Sequence, residues 1–273
     1  MPADASPLLL AAQIGLILGG LAALWRWALR PEARRSAAAL APWDITVTDF
    51  FLFLWLVLCS GLLVPFAAGA WFKHAGLDTT MKLILGTAAF QLGLLGGVLL
   101  FRYGFRRHAG AAAPAATPPA GPNPVLAGGA VFLMAVPVVF VVSLAWQGLL
   151  DLAHIPAPPQ EAIDVLRHAK AGLPVTLLLI CALGLAPLTE ELIFRAGIFR
   201  YARTRLPRWA ALLVPSCIFG AMHANLASFA PLVALGVLFS LAYERTGRIT
   251  TTIVAHALFN LTATLFVLGG VNL

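Results

Sequence analysis

Charge is scarce in this 273-residue chain, where Asp, Glu, Lys and Arg together make up 11% of the residues. A soluble globule carries about 25% charged residues, so this composition excludes one. Cysteine is nearly absent too. Cys59, Cys181 and Cys217 each stand inside an apolar run with no close partner, which excludes a disulfide framework and makes small core residues of them. The opening Met1-Pro-Ala-Asp-Ala-Ser6 has no basic flank and no clear cleavage site, so a retained first helix is expected rather than a removed signal peptide. There are no alternating ten-residue segments, which argues against a membrane barrel, and no internal repeat of the kind found in transporters.

Apolar residues are plentiful: 60% of the chain is hydrophobic and the mean hydropathy is +0.91. Eight runs stand out, from Leu8 to Leu24, Phe50 to Trp71, Leu83 to Phe101, Val125 to Leu150, Leu173 to Leu188, Trp209 to Met222, Ser228 to Tyr243 and Ile249 to Gly270. Most reach the ~20 residues needed to cross ~30 Å of hydrocarbon. The sixth and seventh are short and are expected to form a hairpin with its turn below the membrane surface. Backbone groups in lipid must be satisfied within each segment, so the spans are expected to be helices. The expected fold is an all-α, polytopic transmembrane helix bundle of about eight spans.

The net charge of +7 reads as a topology signal rather than a nucleic-acid footprint. Arg26, Arg30, Arg34 and Arg35 follow the first run; Arg102, Arg106 and Arg107 the third; Arg195, Arg200, Arg203, Arg205 and Arg208 the fifth; Arg245 and Arg248 the seventh. The intervening loops carry only Lys73, Lys82, Arg167 and Lys170. The positive-inside rule then puts the Arg-rich loops in the cytoplasm and both termini outside. Residues 111–124, rich in Pro and Ala, read as a cytoplasmic linker between a three-helix region, 1–110, and a five-helix region, 125–273. Glu161 to Lys170 is expected to be an interfacial helix, with His154 and His168 as solvated loop residues.

Ionisable groups at membrane depth cost roughly 2.5–3.5 kcal/mol or more and mark working sites. Glu190 and Glu191 are such a pair. On a helix Glu191 shares a face with Arg195, four residues on, while Glu190 is rotated about 100° away and left free. His223 closes Phe219-Gly-Ala-Met-His223, and His256 shares a face with Asn260. Counting about 1.5 Å per residue from the nearest Arg puts Glu190 near ~15 Å, His256 near ~12 Å, Asn260 near ~18 Å and His223 near ~22 Å deep. A carboxylate beside an imidazole can deprotonate a water, and an amide with a His N–H can stabilise an oxyanion. The implied reaction is hydrolysis of a peptide bond. The competing reading, polar groups that merely glue helices together, is disfavoured by the cost of inserting so many.

The three motifs Glu190-Glu191-x-x-x-Arg195, Phe219-x-x-x-His223 and His256-x-x-x-Asn260, with Arg245-Thr-Gly247 ahead of the last, resemble the CPBP family of intramembrane proteases. That family includes the CAAX-processing endopeptidases and the Abi-type bacterial membrane proteins. The resemblance covers approximately Val125 to Gly270. It implies that Glu190 and His223 activate the water, that His256 and Asn260 form the oxyanion site, and that Glu191 and Arg195 support the geometry. One departure is Ala196, where the family commonly has Gly; Gly197 follows one position later.

No cofactor is expected. The alternative is a zinc ion on Glu190, His223 and His256, against which stand the lack of a His-Glu-x-x-His motif and the poor ligand character of Asn260. The expected partners are the lipid bilayer and a membrane-associated protein or peptide substrate, with no nucleic acid. The expected location is a bacterial inner membrane, with the site in its cytoplasmic half. A non-catalytic immunity or scaffold protein of the same family is the alternative function, and a proton-coupled transporter is a weaker third.

Overall fold

The structure, a computed structural model, describes residues 7–34, 39–105, 123–158, 166 and 172–269. Eight apolar helices account for the eight runs: α1 (Pro7–Leu29), α2 (Val47–Phe72), α3 (Thr79–Phe105), α4 (Pro124–Leu152), α5 (Leu173–Arg203), α6 (Arg208–Met222), α7 (Leu226–Thr246) and α8 (Ile249–Leu268). Seven are long and apolar enough to cross a membrane, and no strand occurs among the described residues. The chain is an all-helical, multi-pass membrane protein. Large apolar side chains cover its outer surface, Leu8, Phe66 and Leu152 among them at 78–79% exposure, as lipid-facing helices require.

Two expectations need correction. The seventh run is not short, because α7 extends through Glu244 to Thr246 and is 21 residues long; only α6, at 15 residues, falls below spanning length. Arg195, Arg200 and Arg203 do not lie in a loop, because α5 continues for 31 residues to Arg203. The charges do not stop the helix since each finds a partner on it or beside it. Of the cysteines, Cys181 is buried, Cys59 is partly so, and Cys217 is exposed rather than in the core. His154 is exposed, as expected. The linker up to residue 122, the segment Glu161 to Lys170 apart from Leu166, and His168 lie outside the described residues, while Asn123 caps α4 and Pro124 opens it.

Helix α5 runs through the middle of the bundle. On one side it meets the α2–α3 hairpin, on the other α6, α7 and α8; α4 packs against α1, α7 and α8. The α2–α3 contact is close because Gly93 and Gly97 lie one turn apart. A Cβ at Gly93 would stand 2.3 Å from the Ser60 carbonyl oxygen, and one at Gly97 2.6 Å from that of Leu56. Without a hydrophobic drive between helices in lipid, such small-residue contact is what holds a pair together. Trp43, Phe53, Val57, Leu94 and Phe101 then form one core cluster with Ile193, Phe194 and Phe219, joining the hairpin to α5 and α6.

Gly197 sits at that junction. A Cβ there would lie 2.7 Å from the ring of Phe53, which is itself buried and wedged edge-on against Trp43 and Phe101. Gly197→Ala is therefore expected to cost about 1–3 kcal/mol. A thermal unfolding midpoint equal to the parent's in detergent would show that the ring yields freely.

The basic ends of α1, α5, α6 and α7 gather at one end of the bundle. Residues 39–45 cross it as a strap: Ala39 and Leu40 donate backbone N–H groups to the Glu244 carbonyl oxygen, and Arg200 donates to the carbonyls of Ala41 and Pro42. The Glu244 carboxylate takes Arg203 and Arg208. Gly247 ends α7 in the left-handed region, φ +63°, with the Ala39 carbonyl oxygen 2.8 Å from where a Cβ would be. Arg245 ties the same turn to the carbonyls of Trp27 and Ala33. The Arg245-Thr-Gly247 sequence thus stops a helix and anchors the strap.

Candidate active site

The two glutamates stand on a locally irregular stretch of α5. Turns widened to the π register, Cys181–Leu185 and Leu192–Phe199, flank the α-helical segment Ala186–Glu191. Such bulges concentrate at functional sites because they re-aim side chains. One cause is visible: Pro187 has no N–H, and its acceptor in the π register would be the Ala182 carbonyl. Asn260 supplies the missing donor, its Nδ2 lying 2.8 Å from Ala182 O.

Glu191 is completely buried and Arg195 is 1% exposed. Arg195 Nη1 donates to Glu191 Oε1 at 3.0 Å, making the pair expected from the four-residue spacing. The guanidinium is also sandwiched by aromatic faces, 4.5 Å from the centre of Phe219 and 5.4 Å from that of Phe239. A desolvated cation gains about 2 kcal/mol from such faces, which explains why Phe219 stands a turn ahead of His223.

His256 bridges the two carboxylates. Its Nδ1 lies 3.0 Å from Glu191 Oε1, and its Nε2 3.8 Å from Glu190 Oε2. Since Glu191 is the ionised partner of Arg195, Nδ1 carries the proton and donates it, leaving the Nε2 lone pair toward Glu190. A carboxylate that fixes an imidazole tautomer in this way has the geometry that an orienting group in a relay requires.

Glu190 is the accessible member, with its side chain 15% exposed. One of its oxygens, Oε1, accepts from Nε2 of Gln91 at 3.0 Å, across 99 residues of sequence. Sequence reading missed Gln91. Its signal was present, a lone amide in the apolar run Leu83 to Phe101, and only 6% of it is exposed.

His223 caps the C-terminus of α6, directly before Ala224, which sits at φ +48°. Its Nδ1 donates to the Phe219 carbonyl 2.8 Å away, which leaves Nε2 as the open acceptor. Its ring packs against Phe219 at 4.9 Å, and Phe219 lies 6.1 Å from the ring of His256. Among the described residues no hydrogen bond or ion pair joins His223 to Glu190. The structure therefore gathers Glu190, Glu191, Arg195 and His256 into direct contact, with His223 one aromatic ring away and Asn260 a turn beyond His256. No group of three His, Cys, Asp or Glu among the described residues is placed to hold a metal ion.

An all-helical bundle that joins a glutamate pair, an arginine and a bridging histidine on its apolar helices is the arrangement that the three motifs led one to expect. Residues 172–262 match the family described as Type II CAAX prenyl endopeptidase Rce1-like. The chain is 35% identical over 101 residues to the Bacillus subtilis (strain 168) protein called "Putative membrane peptidase YdiL", covering 37% of this chain and 39% of that one. It is 30% identical over 120 residues to an "Uncharacterized 24.3 kDa protein" of Escherichia coli, covering 42% and 55%. The chain thus spans between about two-fifths and just over half the length of these relatives. No solved structure matches. Through the segment 172–262 the chain is similar to the CPBP family, in line with the three motifs.

Proposed function

We propose that the chain is an intramembrane endopeptidase that hydrolyses a peptide bond in the tail or membrane segment of another protein. The observation that carries this reading is the inequality of the two carboxylates. Glu191 is consumed by Arg195 and His256, whereas Glu190 is partly exposed and next to the open nitrogen of His256.

In this reading Glu190 takes a proton from a water, the hydroxide adds to the carbonyl carbon, and the C–N bond breaks. The proton leaves with the departing amine through His256 Nε2, and the products are a carboxylate and an amine. Asn260 spends one N–H on Ala182 O and offers the other to the oxyanion. His223, fixed by the Phe219 carbonyl, presents its Nε2 to the water or the substrate. Glu191 and Arg195 hold His256 in place. All of this works with the chain's own side chains and no cofactor, and chelation is expected to leave cleavage intact.

The reading is tested by comparing the C-termini of membrane proteins in cells carrying the parent chain or His256→Ala. A set of shortened C-termini that appears only with the parent, at similar abundance of the two chains, supports the peptidase. Identical C-termini in both would overturn it. If His256→Ala instead lowers the abundance of the chain and changes no C-terminus, the scaffold reading replaces it.

A further inference from the structure

We infer that Gln91, on α3 and outside the family-matched residues 172–262, is a positioning residue that sets which oxygen of Glu190 faces His256. The inference rests on the peptidase reading for its catalytic meaning, but the contact stands by itself.

An amide inside an apolar helix costs free energy unless it is hydrogen-bonded. Gln91 is buried, yet among the described residues its side chain makes no hydrogen bond within α3; its Nε2 reaches Glu190 instead, 3.0 Å away on α5. Gln91 Oε1 is buried with no hydrogen-bond partner, so nothing within α3 explains an amide at this position. What the bond accomplishes is visible on Glu190. With Oε1 held by Gln91, the carboxylate is turned so that Oε2 lies toward His256 Nε2. Among the described residues the charged groups around it are Glu191 and Arg195 on its own helix and His256 on α8, and Gln91 reaches it from α3.

A position is useful only if its support is rigid. The α2–α3 hairpin is locked by the Gly93 and Gly97 contacts and is docked on α5 through Phe53 against Gly197. The first helices are therefore part of the site, and the motifs of α5 to α8 do not complete it alone.

The experiment uses the full chain in detergent and dicyclohexylcarbodiimide, an apolar reagent that attaches to carboxyl groups, with attachment at Glu190 and Glu191 quantified by mass spectrometry. In Gln91→Leu the oxygen that Gln91 covers is opened, and attachment at Glu190 is expected to rise roughly fivefold, the factor one ordinary hydrogen bond represents. Attachment at the buried Glu191 and the thermal unfolding midpoint should stay at the parent's values. Gln91→Met, closer in shape, should behave alike and serves where the leucine variant does not fold. Unchanged attachment at Glu190 in a folded variant would overturn the inference. A rise at Glu190 in a chain that cuts no peptide bond would uphold the positioning contact and sink only the peptidase reading.

Discussion

Glu190→Gln is expected to abolish peptide-bond cleavage, by at least about 10³-fold, in a chain that inserts and accumulates like the parent. The amide has the shape of the carboxylate, can still meet Gln91, and is only one part of the polar cluster. What it lacks is the ability to take a proton from water, a step worth about 10²–10⁴ in rate. Its neighbour Glu191 does not stand ready to replace it, because Glu191 is committed to Arg195 and His256 and is fully buried. The check is the C-terminal comparison described above, run beside immunoblots of the two chains. Full cleavage by Glu190→Gln at normal abundance would remove Glu190 from the role of base.

Glu191→Gln is expected to act in the opposite sense, chiefly on stability. The substitution leaves the guanidinium of Arg195 buried at 1% exposure without its ion-pair partner. Breaking one side of a buried pair costs about 3–5 kcal/mol, more than most single substitutions. Arg195→Met has the mirror effect on Glu191 and also empties the slot between Phe219 and Phe239. Because each single variant strands a charge that the double variant does not, Glu191→Gln with Arg195→Met should lose less than the sum of the two. Unfolding midpoints of the four chains in one detergent decide this. Strict additivity would mean that the pair contributes no mutual stabilisation. The contrast between neighbouring glutamates, one read in turnover and the other in unfolding, separates a reacting group from a supporting one.

Much of this site is legible along single helices. The four-residue spacing of Glu191 and Arg195 predicts their pairing, and the structure has it at 3.0 Å. The same geometry leaves Glu190 on a different face, where it is the exposed member. The eight apolar runs are likewise visible, since hydrocarbon forces each span to be apolar and to satisfy its own backbone. The lengths of α5 and α7 are less so. Charges such as Arg195, Arg203 and Glu244 end an apolar run on paper but stay helical once partners neutralise them.

The amino-acid sequence by itself determined the class of molecule, the motif residues and the local pairs, because those depend on composition and on a helical repeat that reaches only four residues. Tertiary structure alone decided that His256 bridges both carboxylates, that Asn260 repairs the backbone at Ala182, and that Gln91 holds Glu190. These contacts join residues 65 to 99 positions apart, and their partners are chosen by how the helices pack against one another, a property of the bundle rather than of any one span.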